Sequence, residues 1–195
     1  IIGVPKEIKT DEYRVAVTPS GVKELVAKNH KVYVQAHAGE GSGFSDSDYK
    51  VAGAVLLESA SELFSLADMI VKVKEPIAEE YGFFKLNQTL FTYLHLAADE
   101  ALTHFLLEKG IRAFAYETLE VEGRLPLLEP MSEVAGKMAA IMGAVHLGRY
   151  QGGSGLLIGG TVGTARAKVM VLGGGVAGKA AAEVAAGLGA DVTIL

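Results

Sequence analysis

Short runs of β-branched and apolar residues alternate along the chain with longer stretches whose apolar positions recur every three or four residues. The runs Ile1 to Val4, Lys31 to Gln35, Asp68 to Lys74, Thr89 to Leu96 and Arg112 to Tyr116 read as strands. Between the first two, Pro19 to Asn29 places Val22, Leu25 and Val26 on one helical face. Thr18 suits its N-cap, Pro19 its first turn and Asn29 a left-handed stop. Asp99 to Lys109 repeats the design with Leu102, Phe105 and Leu106, stopping at Gly110 and leaving His104 off the apolar face. Strands interleaved with helices predict βαβ units and a mostly parallel sheet.

After the segment LPLLEP, Ser132 to Gly148 carries Val134, Met138, Ile141, Met142 and Val145 at helical spacing and reads as a connecting helix. A glycine-rich link, Gly152 to Gly163, follows, with a short apolar run at Leu156 to Ile158. Lys168 to Leu195 then reads as strand, glycine turn, alanine-rich helix and second strand. Gly173, Gly175 and Gly178 stand at G-x-G-x-x-G spacing directly after the apolar run Val169 to Leu172, the setting of a dinucleotide-binding turn. A phosphate would sit on the free N–H groups that open the helix. The expected fold class is α/β, with two doubly wound parallel-sheet domains: residues 1–130, and 131–195 comprising the connecting helix and the start of a Rossmann domain. The acid that holds the adenosine ribose belongs about 20 residues past the first glycine. It would fall just beyond Leu195, so the second domain is expected to be incomplete.

Half of the 195 residues are hydrophobic, ample for a buried core. The 18 basic and 23 acidic residues leave a net charge of −5, which gives no electrostatic case for nucleic acid or an anionic membrane. Without cysteine there are no disulfides or thiolate metal sites, and no histidine shows metal-ligand spacing. No apolar run reaches the roughly 18 residues that span a bilayer. The start IIGVPKEIK lacks the regions of a signal peptide, so a cytoplasmic protein is expected.

In open parallel sheets ligands bind at the carboxyl ends of strands. DMIVKVKEP ends with Lys74 followed by Glu75 and Pro76, and TLFTYLHLAA ends with Tyr93 and His95, which strand alternation puts on one face. Neighbouring strands would bring Lys74 and His95 together. The lysine could bind a carboxylate or polarise a carbonyl, and the histidine could transfer protons near neutral pH. The plainer alternatives are a solvated strand end and a satisfied core histidine. Arg14, in the loop PKEIKTDEYRVAVTP, abuts the apolar run Val15 to Val17 and needs an anionic partner: Glu7, Glu12 or a substrate carboxylate. Ser132 suits either an N-cap or a cofactor contact.

GVPKEIKTDEYRVAVTPSGV, VKVKEP, LFTYLHLA, LPLLEPMSEVAG and the GGGVAG turn together resemble the alanine dehydrogenase and nicotinamide nucleotide transhydrogenase family over essentially the whole chain. The chain departs from the family's usual pattern at Asp11, Asn29, Ser154 and in GGTVGTARAK. The resemblance implies NAD as cofactor and the reversible oxidative deamination of L-alanine to pyruvate and ammonium. By the same resemblance Arg14 and Lys74 bind the substrate carboxylate, Lys74 polarises the reacting carbon and His95 is the general acid/base. Tyr93 and Met131 would line the substrate pocket and Ser132 would touch the cofactor, while Val176 and Ala177, beside Gly173, Gly175 and Gly178, would contact the pyrophosphate. A homo-oligomer, a hexamer, is implied as well. The alternatives are the NAD(H)-binding part of a proton-translocating transhydrogenase, with a membrane partner, and a cofactor-binding or assembly module without catalysis.

Overall fold

A computed structural model describes residues 1–195, which divide into two compact units, Ile1–Leu119 and Glu120–Leu195. The first holds a six-stranded sheet in the order β3-β2-β1-β4-β5-β6. Its strands are β1 (Ile2–Val4), β2 (Val32–Gln35), β3 (Val55–Leu57), β4 (Met69–Val71), β5 (Thr89–Thr92) and β6 (Arg112–Ala115), and every pairing is parallel. Ile2 sits opposite Val32 on one side and Met69 on the other, so the strand order reverses at β1. A doubly wound sheet opens a crevice beyond the carboxyl ends of the strands at such a switch point.

Helices α1 (Pro19–Ala27), α2 (Asp46–Val51), α3 (Ala60–Leu66), α4 (Ala78–Tyr81) and α5 (Glu100–Glu108) accompany these strands. Successive strand residues face opposite sides. Accordingly Ile70 packs with Leu63, Phe64, Leu90 and Leu102, whereas Val71 packs with Val4, Val22, Val34 and Tyr49. At Gly3 a Cβ would lie 2.7 Å from a Leu63 methyl and 2.8 Å from the Ala67 Cβ, so only glycine lets α3 lie this close to β1. The expected helix ends hold: Thr18 caps α1 by accepting from the Gly21 N–H at 3.3 Å, Asp99 caps α5, and Asn29 turns left-handed with φ 66°. Asp11 likewise has φ 61°.

Several expectations need correction. β3, α2, α3 and α4 were not expected from the pattern, being at most seven residues long and too brief to show a clear period. β4 and β5 are shorter than their apolar runs, ending at Val71 and Thr92, because the residues that follow turn into loops.

The second unit contains α6 (Glu129–His146), β7 (Lys168–Val171), α7 (Val176–Gly187) and β8 (Asp191–Ile194), with β7 and β8 parallel. α6 begins three residues before Ser132, with Pro130 in its first turn, and the Ser132 N–H already donates to Leu128 O at 3.1 Å. Ser132 is therefore not an N-cap. The large apolar residues that mark the helical spacing of α6, Val134, Met138, Ile141, Met142 and Val145, are 44% to 61% exposed. Small residues make its packing face instead: Ala140 and Ala144 pack with Ile158, Ala167, Ala185 and Ala190, and Gly136 is buried. A Cβ on Gly136 would stand 2.1 Å from Ala177 O, so the two helix backbones touch there. No helix is long and apolar enough to cross a membrane.

Candidate functional site

In the first unit, the loop after β1 and the segments after β4 and β5 meet at the carboxyl edge of the sheet. Val71 and Phe91 are paired, so the strands that lead into Lys74 and His95 are neighbours. Lys72 N–H donates to Phe91 O at 3.1 Å and Thr92 Oγ1 donates to Lys74 O at 2.9 Å, holding the two exits side by side. Lys74 is half-buried, and its ammonium belongs to none of the ion pairs within 4 Å.

Arg14 finds its partner in Glu12. Nε and Nη2 donate to the two carboxylate oxygens at 2.8 and 2.6 Å, and the backbone N–H of Arg14 donates to the same group at 2.9 Å. Chiefly this hydrogen bond to the guanidinium, outweighing burial, holds the Glu12 carboxyl below its usual range. The fork uses two of the five guanidinium N–H donors and leaves the others free for a second anion. A cavity of about 270 Å³ adjoins Arg14, lined also by Lys6, Glu7, Glu12 and Tyr13.

His95 is neither in a strand nor in the core. It adopts a left-handed conformation, φ 51° and ψ 36°, and its side chain is 49% exposed. Tyr93 is buried and its ring lies 6.2 Å from that of His95. The two rings are thus neighbours through a turn and not, as expected, through strand alternation. The Glu117 carboxylate accepts the backbone N–H groups of Leu94 at 3.1 Å and His95 at 2.8 Å. His95 and Glu117 border a cavity of about 630 Å³ with Leu94, Leu96 and Thr118.

The sequence offered Glu7 only as a partner for Arg14 and gave no role to Lys72 or Glu80. Lys72, fully buried, pairs with Glu7 at 3.2 Å and Glu80 at 2.7 Å, and Glu7 Oε1 accepts the Val73 N–H at 2.6 Å. Burial is the main influence on Glu7 and lifts its carboxyl above the ordinary range despite the adjacent ammonium. The available signal was Lys72 itself, a charge inside an apolar strand that must find anionic partners. Glu75, next to Lys74, bonds to Lys9.

In the second unit the glycine turn has the geometry its spacing predicts. Gly173 has φ 101°, a conformation that favours glycine, and a Cβ on Gly178 would stand 1.9 Å from Gly173 O. At Gly175, by contrast, a Cβ would meet nothing within 4 Å, so the chain leaves open the space over the turn. The first intrahelical bond of α7 runs from Lys179 N to Gly175 O, leaving the N–H groups of Val176, Ala177 and Gly178 outside the helical ladder. Ser132 joins these residues and Gly173 around a cavity of about 490 Å³, while Met131, half-buried, does not line it. Open space before a bare helix N-terminus fits a pyrophosphate.

Fold and site together define a chain of parallel α/β units, the second carrying a dinucleotide-type glycine turn between β7 and α7. The chain belongs to the alanine dehydrogenase/PNT family: residues 3–135 match its N-terminal domain and residues 139–195 its C-terminal domain. It is 57% identical to an alanine dehydrogenase of Halomonas elongata and 54% identical to that of Mycolicibacterium smegmatis, each over the whole chain and 53% of the relative. Among solved structures it is similar to an L-alanine dehydrogenase, with a TM-score of 0.92, 51% identity and coverage of 99% of this chain and 54% of that one. Similarity to a transhydrogenase from Sinorhizobium meliloti is lower, with a TM-score of 0.80, 28% identity and coverage of 99% and 55%. The chain spans about half the length of the curated relatives it matches.

Proposed function

We propose that the complete protein is an NAD-dependent alanine dehydrogenase that interconverts L-alanine with pyruvate and ammonium. The observation that carries this reading is identity above 50% to alanine dehydrogenases along the whole chain, against 28% to the transhydrogenase. The geometry of the first unit supports it, with cations and a proton-transfer group at one sheet edge. Arg14 offers its unused N–H donors, and Lys74 its unpaired ammonium, to the substrate carboxylate. Lys74 also polarises the reacting carbon, and His95 moves the protons that accompany amine and carbonyl interconversion. Tyr93 borders the substrate, and Met131 is assigned to substrate contact by resemblance.

When bound, NAD supplies the hydride acceptor. This chain's part is to hold it: Val176 and Ala177 N–H groups take the pyrophosphate, Gly175 keeps its approach open while Gly173 makes the tight turn and Gly178 the close packing, and Ser132 offers its hydroxyl. Residues 1–130 serve as the substrate domain and 131–195 begin the cofactor domain. The working assembly is a cytoplasmic hexamer. The test is the initial rate of nicotinamide reduction by the complete protein, with L-alanine beside other L-amino acids and with NADP in place of NAD. Alanine-selective NADH formation is expected. NADH binding without reduction by any amino acid would overturn the reading in favour of a transhydrogenase component.

A further inference from the structure

Glu75 carries a carboxylate oxygen with no donor. Its Oε1 accepts from Lys9 Nζ, while Oε2 is sealed from solvent and has no hydrogen-bond partner. A buried acceptor left unpaired is costly, the more so on a charged group. Nδ1 of His95 faces it at 3.6 Å. That separation is longer than a hydrogen bond, but the contacts of proton-transfer groups in ligand-free sites commonly stand long and tighten when substrate closes them. The main chain of His95 cannot drift away meanwhile, because Glu117 holds its N–H at 2.8 Å.

We propose that Glu75 is the positioning residue for His95: its Oε2 takes the Nδ1–H of the ring and fixes the neutral tautomer whose Nε2 lone pair meets the substrate. The proposal rests on the proton-transfer reading of His95. A histidine has two distinct nitrogens, and the partner of one decides which form the other presents. Glu75 is suited to the task by its charge. Burial works to raise its carboxyl, but the Lys9 hydrogen bond and the charges of Lys9 and Lys74 bring it below the ordinary range. It is thus an ionised acceptor, with Lys9 behind it as counter-ion.

The test reads the ring directly. The complete protein is labelled with ¹⁵N-histidine, and the His95 signals, identified by their loss in His95→Gln, are recorded by solid-state NMR at alkaline pH. The expected wild-type ring bears its proton on Nδ1. In Glu75→Ala the proton moves to Nε2, the form imidazole favours in water, and kcat falls on the order of 10²-fold or more with KM little changed, as wrong-tautomer variants of other enzymes do. Glu75→Leu, similar in size but without an acceptor, gives the same comparison if the alanine variant does not fold. A wild-type ring protonated on Nε2, or a tautomer indifferent to both substitutions, overturns the proposal. A tautomer that follows Glu75 while turnover stays unchanged upholds the contact and overturns the role of His95.

Discussion

Oε1 of Glu117 accepts the backbone N–H of His95 at 2.8 Å, so a carboxylate just beyond β6 fixes the main chain of a histidine just beyond β5. Burial tends to raise the Glu117 carboxyl, yet the backbone N–H groups it accepts prevail and hold it below the usual glutamate range. A carboxyl depressed on folding contributes stability above its unfolded value and loses it as pH falls through the folded value. Glu117→Gln, whose loss of charge is partly screened by solvent, should therefore cost about 0.5–1 kcal/mol at neutral pH. In denaturant unfolding at a series of pH values, its gap to wild type should close on acidification. A gap that stays constant with pH would show that the charge is not engaged.

Lys72 and Lys74, two residues apart, should answer to different assays. Lys72→Ala removes the cation between Glu7 and Glu80 and leaves two buried carboxylates facing each other, a loss of about 3–5 kcal/mol. Lys74→Ala breaks no ion pair and should change the melting temperature little while abolishing turnover with L-alanine. Melting curves and initial rates on the complete protein separate the two; a fully active Lys74→Ala would remove that residue from the proposed mechanism.

The three glycines of the turn should likewise separate. Gly178→Ala drives a methyl into Gly173 O and should destabilise the turn itself. Gly175→Ala meets no protein atom within 4 Å and should leave folding intact, while Gly175→Val, reaching further over the turn, should weaken NAD binding at least tenfold. Calorimetric titration of folded Gly175 variants is the check. Unchanged affinity would place the pyrophosphate elsewhere.

A residue outside the turn should also matter for cofactor affinity. Gly136→Ala would press on Ala177 O and shift the first turn of α7, lowering NAD affinity. Gly143, on the same helix, has nothing within 4 Å of an added Cβ. Gly143→Ala should leave affinity alone and stabilise the helix by about 0.5–1 kcal/mol. Equal behaviour of the two variants in an NAD titration would remove the contact from consideration.

What the sequence determined by itself was whatever is local. Thr18, Asn29, Asp99 and Gly110 mark helix ends because capping and positive φ depend on a few adjacent residues. Gly173, Gly175 and Gly178 mark the turn for the same reason, and alternating strand and helix patterns were enough for the parallel α/β class. Tertiary structure alone decided what depends on partners distant in the chain. It turned His95 out of the strand and tied it to Glu117, buried Lys72 between Glu7 and Glu80, and left Glu75 Oε2 facing His95. It also made the small residues of α6 its packing face, because close helix approach required them, while the large residues that marked its periodicity stay partly exposed. A one-dimensional pattern can show that a face is apolar or that a charge needs a partner; which atoms arrive to cover it is settled only when the sheet brings separate loops to one edge.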